Sequence, residues 1–227
     1  MNIGIFCSAN HDIDRDFFTL THEFGEWAAK KGHTIVYGGC NMGLMECVAH
    51  AAFNAGGRTI GVVPRIVETH GKASDYSTVT IPCDNLSDRK DLLMLHSDVF
   101  VALPGGIGTL DEVFTVVASS TIGYHEKKVI LYNMKGFWNP LIRMLDDLQP
   151  AEAAQPLGVF LAGLFIIGVL QPTDAMQFDL HHVRSPPDRC PLAPPPSGNS
   201  PARPPARRGP AASGRSPAPD RGCCSPG

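Results

Sequence analysis

Apolar residues along the first 148 positions fall into two alternating rhythms. Short, almost unbroken runs recur at 3–7, 33–37, 59–63, 79–81, 98–103 and 128–132. Between them lie stretches with helical spacing, at 17–31, 42–54, 86–97, 109–120 and 138–148. Strands that are apolar at consecutive positions are buried on both faces, and helices between such strands make βαβ units. The pattern therefore predicts an α/β fold, a Rossmann-like doubly wound parallel sheet with helices on both faces. Residues 65–75 carry neither rhythm and are expected to form a mobile loop. In such sheets ligands bind beyond the C-terminal ends of the strands, and both glycine-rich runs of the chain fall there.

The rhythm stops near Gln149. Sixteen of the 20 prolines lie from Pro150 onward, and no lysine follows Lys135. Three regions are expected: a Rossmann-like domain over 1–149, an apolar segment over 150–184 whose structure the sequence leaves open, and a disordered Pro/Arg/Ala/Gly/Ser-rich tail over 185–227. The change of composition is abrupt enough to suggest a fused or out-of-frame continuation. Charge divides with it: residues 1–148 carry a net −5 and residues 149–227 a net +2. A mildly acidic folded part argues against nucleic acid as a partner. The uncharged run at 157–170 has 14 residues, short of the roughly 20 that span a bilayer, so a buried or interfacial segment is expected and a membrane partner is not. The seven cysteines show no C-x-x-C pair, which argues against a zinc framework or a disulfide scaffold. The N-terminus starts on a strand pattern with no visible signal peptide, so a reducing cytoplasm is the expected location.

The candidate chemistry centres on Leu103-Pro104-Gly105-Gly106-Ile107-Gly108-Thr109-Leu110-Asp111-Glu112. A strand, a tight glycine turn and a helix start present outward N–H groups and a positive dipole end, which suits an anion. Glycines let the backbone approach where a side chain would block it. Thr109 is expected to cap the helix or to donate its hydroxyl to a phosphate. Glu112 adds a carboxylate that a purely phosphate-binding loop would not want, so chemistry is expected beside the anion. Two further elements reach the same rim: Tyr37-Gly38-Gly39-Cys40-Asn41-Met42-Gly43-Leu44-Met45, and Ser87-Asp88-Arg89-Lys90.

Together these three motifs resemble the lonely-guy family, the cytokinin riboside 5′-monophosphate phosphoribohydrolases often carried under the label lysine decarboxylase. The resemblance covers roughly residues 1–149, with P-G-G-x-G-T-x-x-E intact at 104–112. It implies hydrolysis of the N-glycosidic bond of a nucleoside 5′-monophosphate (adenosine monophosphate or an N6-substituted adenine nucleotide) to free base and ribose 5-phosphate. It places the catalytic pair on Arg89 and Glu112. Substrate and phosphate binding fall on Gly105, Gly106, Gly108 and Thr109, on Gly38, Gly39 and Gly43, and on Ser8 and Lys90. It also implies a homodimer with the site near the interface. The chemistry suits the residues: cleaving a ribosyl–base bond builds positive charge on the sugar, which a carboxylate stabilises, and the step requires no metal or organic cofactor.

Two positions depart from the family pattern G-G-G-x-x-G-L-M-G: Cys40 stands for the third glycine and Glu46 for the last. Cys40 is expected to pack, and Glu46 to lie in the first turn of its helix beside the positive dipole end. Because Glu46 would repel phosphate there, the 104–112 turn is the expected phosphate site. His11, His22, His33 and His50 are expected to be surface or capping residues, Asp84 and Asn85 turn and cap residues, and Met42, Met45 and Met94 packing residues. A non-catalytic nucleotide-binding or carrier protein on the same scaffold is the competing reading. A pyridoxal-phosphate decarboxylase is disfavoured, since none of Lys72, Lys90, Lys127 or Lys128 has a recognisable Schiff-base setting.

Overall fold

A computed structural model describes residues 1–147 and 167–170. All lie in the first of two units into which the chain divides, Met1–Pro187. Expected boundaries near 149 and 184 fall outside the described residues.

Seven parallel strands form one sheet: β1 (Asn2–Phe6), β2 (Thr34–Tyr37), β3 (Arg58–Pro64), β4 (Val79–Cys83), β5 (Val99–Ala102), β6 (Lys128–Tyr132) and β7 (Ile167–Leu170), in the order β4-β3-β2-β1-β5-β6-β7. The helices are α1 (Arg15–Lys30), α2 (Gly43–Asn54), α3 (Arg65–Thr69), α4 (Leu86–His96), α5 (Ile107–Thr121) and α6 (Asn139–Asp147). The chain leaves β1 outward through β2, β3 and β4, then returns to set β5 on the other side of β1. That reversal opens a crevice beyond the ends of β1 and β5, the usual ligand position in open α/β sheets.

The apolar runs are explained by two cores, one on each face. Ile3, Ile5, Ile35, Tyr37, Val99 and Val101 pack with Phe24 and Val48 of α1 and α2. Phe6, Val36, Phe100 and Val129 pack on the other face with Leu93 of α4 and Val113 and Val116 of α5. Phe6 and Phe100 stack with ring centroids 5.1 Å apart. Pro82 sits in β4, an end strand of the sheet, where a missing N–H costs no ladder bond.

Two expectations are corrected, those for 65–75 and for His33, and the reading left open for 157–170 gains a strand. The stretch 65–75 is not loop throughout, because Pro64 fixes the entry to the short helix α3. The segment after that helix is tied to the first glycine turn by Asn41 N–H to the Lys72 carbonyl and Ser74 N–H to the Gly39 carbonyl, each 2.9 Å. In the 157–170 run, Ile167–Leu170 pairs with β6 as a seventh strand, and the rest of that run lies outside the described residues. His33, expected at the surface or as a cap, is buried, with its ring beside Trp27. Among the described residues, no helix is long and apolar enough to cross a membrane.

Candidate active site

Beyond the ends of β1 and β5 lies a cavity of about 350 Å³, within the size range of small-molecule sites. One wall comes from Cys7, Ser8 and Ala9 after β1, a second from Leu86, Arg89 and Lys90 of α4, and a third from the start of α5. Backbone bonds fix the walls together. Ser8 N–H donates to the Pro104 carbonyl at 3.0 Å, and the Ser8 carbonyl accepts from Leu44 N–H at 2.9 Å. Trp138 Nε1 donates to the Ala102 carbonyl at 3.1 Å, pinning the end of β5 just before the glycine turn.

The turn at 104–108 starts α5 two residues earlier than expected, at Ile107. Thr109 is therefore not the cap. Gly106 holds that position in extended conformation with no side-chain cap bond, and Leu110 N–H makes the first helical bond, to the Gly106 carbonyl at 3.1 Å. The N–H groups of Ile107, Gly108 and Thr109 precede that bond and have no helical acceptor, so they form a ready anion cradle. Thr109 is buried with its side chain against Gly105. The start of α2 offers less, since Leu44 N–H is already committed to Ser8.

Arg89 and Glu112 meet in the cavity. Asn85 caps α4 by accepting from the N–H groups of Ser87 and Asp88, both at 2.9 Å, and this sets Arg89 one turn into the helix. Arg89 Nη1 donates to Glu112 Oε1 at 2.9 Å, and the two side chains are 15% and 8% exposed. Burial pushes the Glu112 carboxyl up to about 7 against the opposing pull of Arg89. Cys7, also at the cavity, is a poor nucleophile, because burial holds its thiol well above its ordinary value.

Of the residues singled out from sequence, Ser8, Arg89, Lys90, Gly106, Gly108, Thr109 and Glu112 line this one cavity. Gly38, Gly39, Gly43 and Gly105 do not. Gly38 acts from behind: a Cβ there would occupy the position of the Arg89 guanidinium. Gly43, at φ +58°, lies under the Ser8–Asn10 backbone, where a Cβ would come within 2.7 Å of the Ser8 carbonyl oxygen. Gly105 gives room to Thr109. Lys90 lines the cavity, but its ammonium is bound to Asp111 and Thr115. Sequence reasoning missed Cys7, Ala9, Leu86 and Asp111 as lining residues and read Met45 as packing alone. The available signal was position: Cys7 and Ala9 flank Ser8, and Leu86 stands three residues before Arg89 on the same helix face. Glu46 lies in the first turn of α2 as expected. It does not line the cavity, and burial raises its carboxyl above its ordinary value.

Comparison with known proteins gives the same picture. The family model described as "Possible lysine decarboxylase" matches residues 45–157. A probable cytokinin riboside 5′-monophosphate phosphoribohydrolase of Oryza sativa subsp. japonica is 33% identical over 144 residues, 63% of this chain and 59% of that protein. The chain thus spans less than two thirds of that relative's length. The cytokinin riboside 5′-monophosphate phosphoribohydrolase of Mycobacterium tuberculosis is 32% identical over 154 residues, 68% of this chain and 82% of that protein. Among solved structures, the molybdenum cofactor carrier protein of Chlamydomonas reinhardtii superposes with a TM-score of 0.59 at 25% identity, over 78% of this chain and 93% of that one.

Proposed function

Since the chain belongs to the lonely-guy family, the cytokinin riboside 5′-monophosphate phosphoribohydrolases, we propose that it hydrolyses the N-glycosidic bond of an adenine nucleoside 5′-monophosphate to free base and ribose 5-phosphate. The observation that carries this reading is the enclosed Arg89–Glu112 pair beside an uncapped helix start in a nucleotide-sized cavity. The phosphate takes the N–H groups of Ile107, Gly108 and Thr109. The ribose then lies between Ser8 and Glu112. As the base departs, positive charge grows at the anomeric carbon, and the Glu112 carboxylate stabilises it at short range in a poorly solvated site. The same carboxylate orients the attacking water and takes its proton, which suits a group poised near neutral pH. Arg89 fixes one carboxylate oxygen and leaves the other to act.

The homodimer belongs to the same proposal. Leu86 and Leu95 of α4 and Ile107 and Phe114 of α5 are exposed apolar residues, Leu86 among those lining the cavity, and light scattering of the purified chain tests whether a second copy covers them.

The test of activity is chromatographic detection of free base and ribose 5-phosphate after incubation with adenosine 5′-monophosphate and with N6-substituted adenine nucleotides. The parent is expected to release both products, and Glu112→Ala to lose at least about 100-fold in rate. The likeness to a carrier protein favours one alternative, a non-catalytic nucleotide carrier on this scaffold. A folded parent that binds nucleotide and leaves every glycosidic bond intact would establish that alternative instead.

A further inference from the structure

Helix α4 presents Arg89 and Lys90 in succession, and α5 presents Asp111 and Glu112 in succession, so two ion pairs cross between the helices side by side. The inner pair, Arg89–Glu112, is enclosed. The outer pair stands at the cavity rim, with Lys90 22% and Asp111 60% exposed. Lys90 Nζ donates to both Asp111 carboxylate oxygens, at 3.1 and 3.0 Å, and to Thr115 Oγ1 at 3.1 Å. An ammonium carries three protons, and all three are engaged. The Thr115 hydroxyl donates in turn to the Asp111 carbonyl at 2.7 Å. Lys90 is thereby bound to two successive turns of α5.

We propose that Lys90 and Asp111 are positioning residues for Glu112 rather than ligands of the substrate phosphate: their pair locks α4 against α5 in the register that brings Arg89 onto Glu112, and it balances the charge around that carboxylate. This rests on the hydrolase reading given above. A lysine whose protons are all engaged by a carboxylate and a hydroxyl must break those bonds to reach a phosphate, and its charge is already offset. The three N–H groups at the start of α5 need no such exchange. Among the described residues, the charged and titratable groups that act on Glu112 are Arg89 and Lys90 from α4, Asp111 beside it on α5, and the neutral Cys7 thiol after β1. Asp111 opposes ionisation of Glu112, whereas Arg89 and Lys90 favour it. The two members of the outer pair therefore act on Glu112 with opposite sign, Asp111 the more strongly.

The experiment is a carboxyl ¹³C NMR titration of Glu112 in the whole chain, assigned with Glu112→Gln. It is run on the parent, Asp111→Asn, Lys90→Met and the double variant, alongside kcat and KM for adenosine 5′-monophosphate. Asp111→Asn is expected to move the Glu112 midpoint toward acid by about half a pH unit, and Lys90→Met to move it toward base by less. The double variant should fall between the two single variants. Both single variants should lower kcat more than they raise KM. Midpoints that stay fixed in both single variants would overturn the proposal. So would a KM raised tenfold in Lys90→Met and not restored in the double variant, which would make Lys90 a phosphate ligand. Because the titration needs no turnover, an inactive parent with opposite midpoint shifts would refute the hydrolase reading while leaving the charge balance intact.

Discussion

Replacing Glu112 by Gln should change how stability depends on pH, and the size of that change follows from burial. The folded chain raises the Glu112 carboxyl from its ordinary 4.5 to about 7. At about 1.4 kcal/mol per pH unit this gap is worth about 3 kcal/mol. The sign follows from proton affinity. Below pH 4.5 both folded and unfolded chains hold the proton, and the contribution is fully present. As pH rises toward 7 the unfolded chain releases it first, so stability is lost, and above 7 the loss is complete. Glutamine does not titrate. Its substitution leaves Arg89 without a charged partner, but that penalty is the same at every pH because guanidinium stays charged. Other groups titrate alike in both proteins and drop out of the difference. The stability of Glu112→Gln minus that of the parent, measured by urea unfolding from pH 4.5 to 8, should therefore rise by about 3 kcal/mol. A difference that stays level within about 0.5 kcal/mol would show that burial does not raise the carboxyl, and would remove the ground for a base poised near neutrality.

Gly38→Ala should displace the Arg89 guanidinium rather than any backbone, costing about 100-fold in kcat with little change in thermal unfolding. Gly43→Ala, at φ +58° and against the Ser8 carbonyl, should instead lower stability by about 1–3 kcal/mol in the same melts. Gly108→Ala adds a methyl into open space at the cavity, so the fold should hold while KM rises by an order of magnitude or more, read from initial rates. Trp138→Phe removes the buried bond to the Ala102 carbonyl and should cost about 1 kcal/mol in urea unfolding.

Most strands were legible in the sequence because their apolar runs are buried on both faces of one sheet, which leaves little freedom in composition; β4, at an end of the sheet, is mostly exposed. β6 begins and ends at the predicted residues, and α2 starts one residue from its expected position. Features that the runs did not show depend on contacts between segments far apart in sequence. The tie of Ser74 and Lys72 to the first glycine turn is invisible to periodicity, and α3 is too short to display any. β7 is set by pairing with β6 rather than by a pattern of its own. Within the site, the motif residues were found by type and spacing. The division of labour among them was not: that Gly38 serves Arg89, that Gly106 rather than Thr109 caps α5, and that Lys90 is bound to Asp111 all depend on which helix faces which.

The fold alone does not separate a hydrolase from a carrier, because both need the crevice between β1 and β5 and the free N–H groups of α5. Under the hydrolase proposal, the carboxylate is the feature that separates them. Enclosing Glu112 and Arg89 costs desolvation that the mutual attraction of such a pair only roughly offsets. A chain that merely holds a phosphorylated ligand gains nothing from this arrangement and loses affinity through the negative charge. A neutral side chain at position 112 would serve a carrier better on both counts. Under that proposal the charge acts on a state in which the ligand itself becomes positive, which cleavage of a ribosyl–base bond supplies at the sugar. Arg89 then has a definite role. Without it burial would keep Glu112 protonated at neutral pH, and with it the carboxylate is available where the cation forms.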